Sequence, residues 1–154
     1  GSSMELWASR LAGLDRPEIY ITDRDKQPPA QPKYHTHLTA WNQRPGTTGL
    51  CTTKRELENY LHPDAVRTVA PTFPNSILDF DDVPLMTAEA LHTADPQAPP
   101  WDEVLAEKKK DKASRAKRRL NTVAADAMTL PMLQISDPSG EIESWLRQIA
   151  GHLA

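Results

Sequence analysis

Two pairs of acids and one lysine are the residues of this chain whose types and spacing can do chemistry. Asp23 and Asp25 stand one residue apart, directly after the apolar run Ile19-Tyr20-Ile21-Thr22. Glu56 and Glu58 have the same spacing within Lys54-Arg55-Glu56-Leu57-Glu58-Asn59-Tyr60-Leu61. Carboxylates are hard oxygen donors and suit Mg²⁺ or Mn²⁺. An ion held by Asp23, Asp25 and an acid of the second stretch can activate water and stabilise the leaving oxygen of a phosphodiester; a pair of ions can do both. Lys117 is the cation that would offset the charge built up on the phosphate. Asp-x-Asp also occurs in turns and among surface acids, so the elements around it decide the reading.

Glu18 to Thr22 is short, β-branched and aromatic, and reads as a strand. A helix over 4–14 precedes it. Acids at the carboxyl end of such a strand are where open α/β sheets bind ligands. Alternation along a strand places Asp23 and Asp25 on one nominal face. Lys26 to Pro32 is a proline-broken loop. Tyr34 to Gln43 reads as a helix with Leu38 and Trp41 inward, stopped at Arg44-Pro45-Gly46, and Thr47 to Thr52 as a second strand.

Thr53-x-x-Glu56 has the form of a capping box, which predicts a helix from Lys54 to Leu61. On that helix Leu57 and Leu61 share a face, and Glu56 and Glu58 fall roughly 100° to either side of Leu57. One of the two glutamates is then the metal ligand, and a helix cap is the other role open to Glu56. Further helical turns are expected at 64–69 and at 86–91, the latter capped by Thr87. Glu107 to Lys112 reads as a mobile charged stretch.

Ala113 to Met128 carries the clearest helical stripe: Ala113, Ala116, Leu120, Val123, Ala124 and Ala127. Lys117 falls within roughly 20° of Ala124 and 60° of Leu120. It is either a lysine snorkelling from the edge of the stripe or an ammonium aimed at carboxylates. Lys108, Lys109, Lys110, Arg115, Arg118 and Arg119 surround it and could contact phosphates or form a solvated face. Asp137-Pro138 opens a last helix packed through Ile142, Trp145, Leu146, Ile149 and Leu153.

The chain has 154 residues with a net charge of −3, which sets no bulk basic field and leaves nucleic-acid contact to local patches. Its hydrophobic share of 38% and its 14 prolines predict a modest core with long loops. The single cysteine, Cys51, rules out an internal disulfide and a cysteine-rich zinc site, and fits a reducing cytoplasm. No long apolar run and no signal peptide are visible. P-loop, Gly-x-Gly-x-x-Gly and Gly-x-Ser-x-Gly patterns are missing. His35-Thr36-His37 is a loose metal-ligand pair, and Cys51 reads as a structural thiol.

Thr22-Asp23-Arg24-Asp25 together with Thr53-Lys54-Arg55-Glu56-Leu57-Glu58-Asn59-Tyr60-Leu61 resembles the C-terminal Toprim nuclease region of overcoming-lysogenization-defect (OLD) family ATP-dependent endonucleases. The second stretch looks like that group's Arg-Glu-x-Glu-Asn-Tyr signature. Lys117-Arg118-Arg119-Leu120-Asn121 and Asp137-x-x-Gly140-Glu141-x-x-x-Trp145-Leu146 look like its tail. The resemblance implies a partial Toprim (Rossmann-like) α/β domain: a short parallel sheet flanked by helices, with a helical C-terminal part. On that reading residues 1–3 are a tag remnant, 4–100 the partial Toprim core and 101–154 the helical part.

The resemblance further implies Mg²⁺- or Mn²⁺-dependent DNA cleavage in anti-phage defence, with an N-terminal ABC-type ATPase as partner and an oligomeric full-length protein. Asp23 and Asp25 match the Asp-x-Asp metal motif, Glu56 or Glu58 the acidic stretch, and Lys117 the basic catalytic residue; Asp81 and Asp82 are possible extra acids. Toprim folds open with a strand ending in a catalytic Glu. Here Glu5 begins a helix and Glu18 begins the strand that carries the acid pair, so the expectation is a C-terminal fragment of such a nuclease. Two other classes fit the same residues: a non-catalytic DNA- or protein-binding module working through 108–119, and a phosphotransfer or phosphohydrolase site.

Overall fold

The computed structural model describes residues 16–151, and the helix expected over 4–14 lies outside them. The chain runs β1 (Glu18–Thr22), α1 (His35–Asn42), β2 (Thr47–Cys51), α2 (Pro63–Arg67), α3 (Val83–Thr93), α4 (Ala106–Arg119), α5 (Leu130–Ser136) and α6 (Glu141–Gly151). Tight 3₁₀ turns lie at Leu57–Tyr60 and Trp101–Glu103. This is an α/β arrangement in which helices flank a two-stranded parallel sheet. No helix among the described residues is long and apolar enough to cross a membrane.

The β1–α1–β2 unit follows the sequence closely. β1 pairs with β2 in parallel from Glu18↔Thr47 to Thr22↔Cys51. Leu38 and Trp41 of α1 are buried as expected, and Tyr20 of β1 stacks on Trp41 with ring centroids 4.5 Å apart. α1 lies so close to β2 that a Cβ at Gly49 would stand 3.1 Å from Leu38 Cδ2. Glycine permits that close approach without displacing Leu38. Asn42 then uses its amide as a strand would: Nδ2 donates to Gly49 O (3.1 Å), and Gly49 N–H donates to Oδ1 (2.7 Å). Beyond the strands the two chains stay joined, with Thr52 N–H donating to Thr22 O (3.0 Å) and Asp25 N–H to Arg55 O (2.8 Å).

The main core lies away from the sheet. Leu61, Val66, Val69, Phe73, Val83 and Leu120 form its centre, drawn from α2, α3, their connections and the end of α4. Capping fixes where the helices begin. Asp82 Oδ1 accepts from Leu85 N–H at 3.1 Å and starts α3, so the cap is Asp82 and not Thr87, which is fully buried and donates back to Val83 O. Thr129 Oγ1 accepts from Met132 N–H at 3.4 Å at the start of α5, a helix the apolar pattern did not announce. Asp137 accepts from Ile142 N–H at 2.7 Å. It therefore caps from below a helix that begins at Glu141 rather than at Pro138. Leu146, expected on its packing face, is exposed, whereas Trp145 is buried.

The charged stretch 107–112 is regular helix within α4. α4 runs on into a wider π-type stretch over Leu120–Ala124. A wider turn rotates less per residue than an α-helix. This carries Val123 off the apolar stripe, where it is 47% exposed, and brings Ala124 fully inside. Leu120→Ala should therefore cost about 2–5 kcal/mol in urea unfolding, as for a large core side chain. Val123→Ala should stay within about 0.5 kcal/mol of the parent, although a uniform helical stripe would make the two comparable.

A lysine among buried carboxylates

Thr52 to Tyr60 is the segment from which the site is built, because its polar groups reach every neighbouring part of the fold. Thr52 Oγ1 accepts from Arg24 N–H (2.8 Å) and donates to Lys54 O (2.7 Å). Thr53 and Tyr60 both donate to Glu141 at the start of α6. Lys54 donates to Ser136 O (2.7 Å) and Asn59 O (3.2 Å) and pairs with Asp79 (3.2 Å). Arg55 pairs with Asp82 at 2.7 Å. Asn59, almost fully buried, donates to Leu78 O (2.8 Å) and Asp81 O (3.1 Å) and accepts from Glu56 N–H (3.1 Å).

That last bond shows why the expected helix does not form. Glu56 is extended (φ −153°, ψ 169°), and Asn59 closes back on it to cap a single 3₁₀ turn. Thr53 faces α6 and caps nothing here. With an extended residue before a tight turn, the angular argument that separated Glu56 from Glu58 no longer applies. Both meet Lys117 of α4, with Nζ 2.8 Å from Glu56 Oε2 and 3.0 Å from Glu58 Oε2. The Glu56 contact is an aligned hydrogen bond; the Glu58 contact is an ion pair without that alignment, and both Glu58 oxygens lack a hydrogen-bond partner, as does Glu56 Oε1. Buried acceptors without donors are uncommon.

Asp23 completes the cluster. Its Oδ1 accepts from Leu57 N–H at 3.0 Å, and its Oδ2 lies 3.6 Å from Lys117 Nζ. Asp25 does not join it. The strand ends at Thr22, Asp25 takes a left-handed backbone (φ 61°), and its carboxylate pairs with Lys33 at 3.0 Å. Alternation holds only along a strand, so the shared face expected for Asp23 and Asp25 is lost at the turn. Asp81 and Asp82 have local structural duties: Asp81 Oδ2 accepts from Leu78 N–H at 2.7 Å, and Asp82 caps α3 and holds Arg55.

Burial governs the electrostatics. Loss of water lifts the Glu56 carboxyl to about 7, opposed by Lys117 and reinforced by Glu58. Asp23 is raised for the same first reason, with Lys117 and the Leu57 N–H acting against it. Desolvation alone would lower Lys117, but the bond to Glu56 and the fields of Glu58 and Glu56 raise it above an ordinary lysine. One ammonium thus stands at the meeting point of three carboxyl groups. Among the described residues, no group of three or more His, Cys, Asp or Glu is arranged ready to hold a metal ion. The chemistry of the donor set would suit a hard divalent cation: its atoms are carboxylate oxygens, and two of them, Glu56 Oε1 and Glu58 Oε1, are buried with neither a hydrogen bond nor an ion pair.

The basic residues of 108–119 do not form one patch. Lys109 lies over the Trp101 ring, 5.1 Å from its centroid. Lys108, Lys110, Arg115, Arg118 and Arg119 are exposed on several flanks of α4. His37 stacks on Trp41 at 5.9 Å, and burial raises the Cys51 thiol, which keeps it protonated and structural. Glu141 anchors the Thr53–Tyr60 end of the site; its marks in the sequence, an acid in the first turn of a helix and a place in the tail motif, do not point to that contact.

Lys117→Met leaves two buried carboxyl groups without a cation and should cost about 2–3 kcal/mol in urea unfolding, less than a fully buried pair because Lys117 is partly exposed. Adding Glu56→Gln and Glu58→Gln should recover more than half of that loss. The pH dependence has a fixed sign. Glu56 holds its proton up to about 7 in the folded chain, against 4.5 as its ordinary value. The native state then binds more protons in that window, and stability falls as pH rises through it. Urea midpoints at pH 5 and pH 7.5 should differ less in Glu56→Gln than in the parent. No protein family, curated protein or solved structure matches this sequence, so the cluster is read from its own geometry.

Proposed function

We propose that this chain carries the metal site of an OLD-like Toprim nuclease that cleaves DNA phosphodiesters with Mg²⁺ or Mn²⁺, working with an ATPase part in anti-phage defence. The observation that carries this reading is the convergence of Asp23, Glu56 and Glu58 from separate segments on Lys117, with two buried carboxylate oxygens in neither a hydrogen bond nor an ion pair. A fold retains such a destabilising arrangement for a cation or for a reaction more readily than for stability, since apolar replacements of buried ion pairs are often neutral or better.

Asp23, Glu56 and Glu58 would hold the ion. Once bound, it supplies Lewis-acid stabilisation of the phosphodiester and a more acidic attacking water. Leu57 N–H fixes the orientation of Asp23. Lys117 neutralises the carboxylates in the free chain and offers a charged N–H donor to a phosphate oxygen. Asp25, paired with Lys33, serves at the rim and not as a ligand of the central ion. A binding module is the second reading, favoured by the unpaired cations of α4; it requires no ion.

Mn²⁺ titration followed by NMR line broadening separates the two. Broadening should centre on residues 23 and 54–60, vanish in Asp23→Asn and Glu58→Gln, and persist in Asp25→Asn with affinity within about threefold. Nicking of supercoiled plasmid by the full-length protein should follow the same ranking. Broadening scattered over surface acids and unaffected by Glu58→Gln would sink the metal-site reading.

A further inference from the structure

One groove of the molecule lies outside the carboxylate cluster and has a charge pattern of its own. It runs between α3 and α4, has a volume of about 290 Å³, and is lined by Ala88, Leu91 and His92 on one side and Lys112, Arg115 and Arg119 on the other. The two helices form the main helix pair of the fold, so its walls are rigid. His92 is buried and donates from Nε2 to Pro99 O at 2.8 Å, so its ring is held in place and is not a mobile ligand.

Lys112, Arg115 and Arg119 repeat at three and four residues, which sets them in one row along α4. Among the described residues none of their side chains has an ion-pair or hydrogen-bond partner. No carboxylate lines the groove. Glu107 and Asp111 are the nearest acids along α4, and Asp111 makes no ion pair with Arg115 although it stands four residues before it. Arg115 and Arg119 are exposed and Lys112 half-buried, so the row is open to an anionic partner from solvent. The row covers about 10 Å of helix axis at 1.5 Å per residue, more than one phosphate group fills.

We infer that the α3–α4 groove is a binding track for successive phosphates of a DNA backbone, carried by Lys112, Arg115 and Arg119. Lys117 leaves α4 roughly 140–160° away from these three, so the groove and the carboxylate cluster occupy opposite flanks of one helix. The track therefore grips a flanking part of the strand while another part lies at the cluster. Arginine suits it through its fork of donors, and phosphate contacts of this kind position without reading sequence. The inference deepens the nuclease reading, on which the choice of DNA as polyanion rests, but the groove needs neither metal nor turnover.

The test is fluorescence anisotropy of a labelled 20-base-pair DNA with the full chain in EDTA, over a series of salt concentrations. Combined Lys112→Ala, Arg115→Ala and Arg119→Ala should weaken binding at least tenfold and lower the salt slope by about two to three, near 0.9 for each phosphate no longer neutralised. Lys110→Ala, roughly 140–180° round α4 from the row, should change affinity less than threefold. Arg115→Lys with Arg119→Lys should retain most of the binding, which separates lost charge from a damaged fold. Equal losses in the groove triple and in Lys110→Ala would overturn the track, as would a triple that binds like the parent. So would a DNA affinity abolished by Glu58→Gln, because binding would then run through the cluster. Polyglutamate displacing the DNA at matched charge would assign the groove to an acidic protein chain and overturn the DNA assignment. Groove binding that survives while Mn²⁺ finds no preformed site would reject the nuclease reading alone.

Discussion

The ammonium of Lys117 among buried carboxyl groups is the interaction on which the rest of the structure depends. Glu58 is 1% exposed and Glu56 7%, and carboxyl groups at that depth call for a cation beside them or a proton on them. Lys117 reaches them because α4 is anchored against α3 and the helical core through Ala116, Leu120 and Ala124. The Leu57–Tyr60 turn is held from the other side by Asn59, whose amide divides its hydrogen bonds among Leu78, Asp81 and Glu56. Packing and charge pairing therefore fix one another: a shift of α4 would strand the acids, and loss of the acids would leave α4 with a cation facing an apolar seam.

The chemistry follows from the same balance. An ammonium satisfies part of the carboxylate charge at this site in the absence of any ligand. The site's acidity is set by exclusion of water rather than by the local count of charges, as the rise of both Glu56 and Asp23 despite their lysine partner indicates. The surplus of acids over cations at this point is the feature a divalent ion would answer, and the surplus of cations on the far flank of α4 is its counterpart toward anions.

Much of this was legible in the chain. The apolar run 18–22, the helix with Leu38 and Trp41 inward, and the inward bearing of Lys117 all rest on simple periodicity, and periodicity held there. The rest turned on geometry that a regular pattern does not encode. The Thr53-x-x-Glu56 spacing mimics a capping box, yet Asn59 wins because its buried amide has three partners to satisfy. Asp25 left the face of Asp23 because a strand's alternation stops where its pairing stops. Val123 left its stripe because Leu120–Ala124 winds more widely than an α-helix. In each case a tertiary hydrogen bond or packing demand outweighed a local preference.

The aromatic packing of β1, α1 and β2 has a consequence for how the molecule opens. Tyr20, Leu38 and Trp41 form their own small apolar group, separate from the core around Val66, Val83 and Leu120. Among the described residues the hydrogen bonds that join the two come from the Arg24 and Asp25 amides, Thr52, and the Asp23 bond to Leu57. Polar joints give way at lower free energy than a packed core. The amides of β1 and β2 should accordingly exchange with solvent water at lower free energy than those of α3 and α4, with the Asp23 bond to Leu57 among the joints given up.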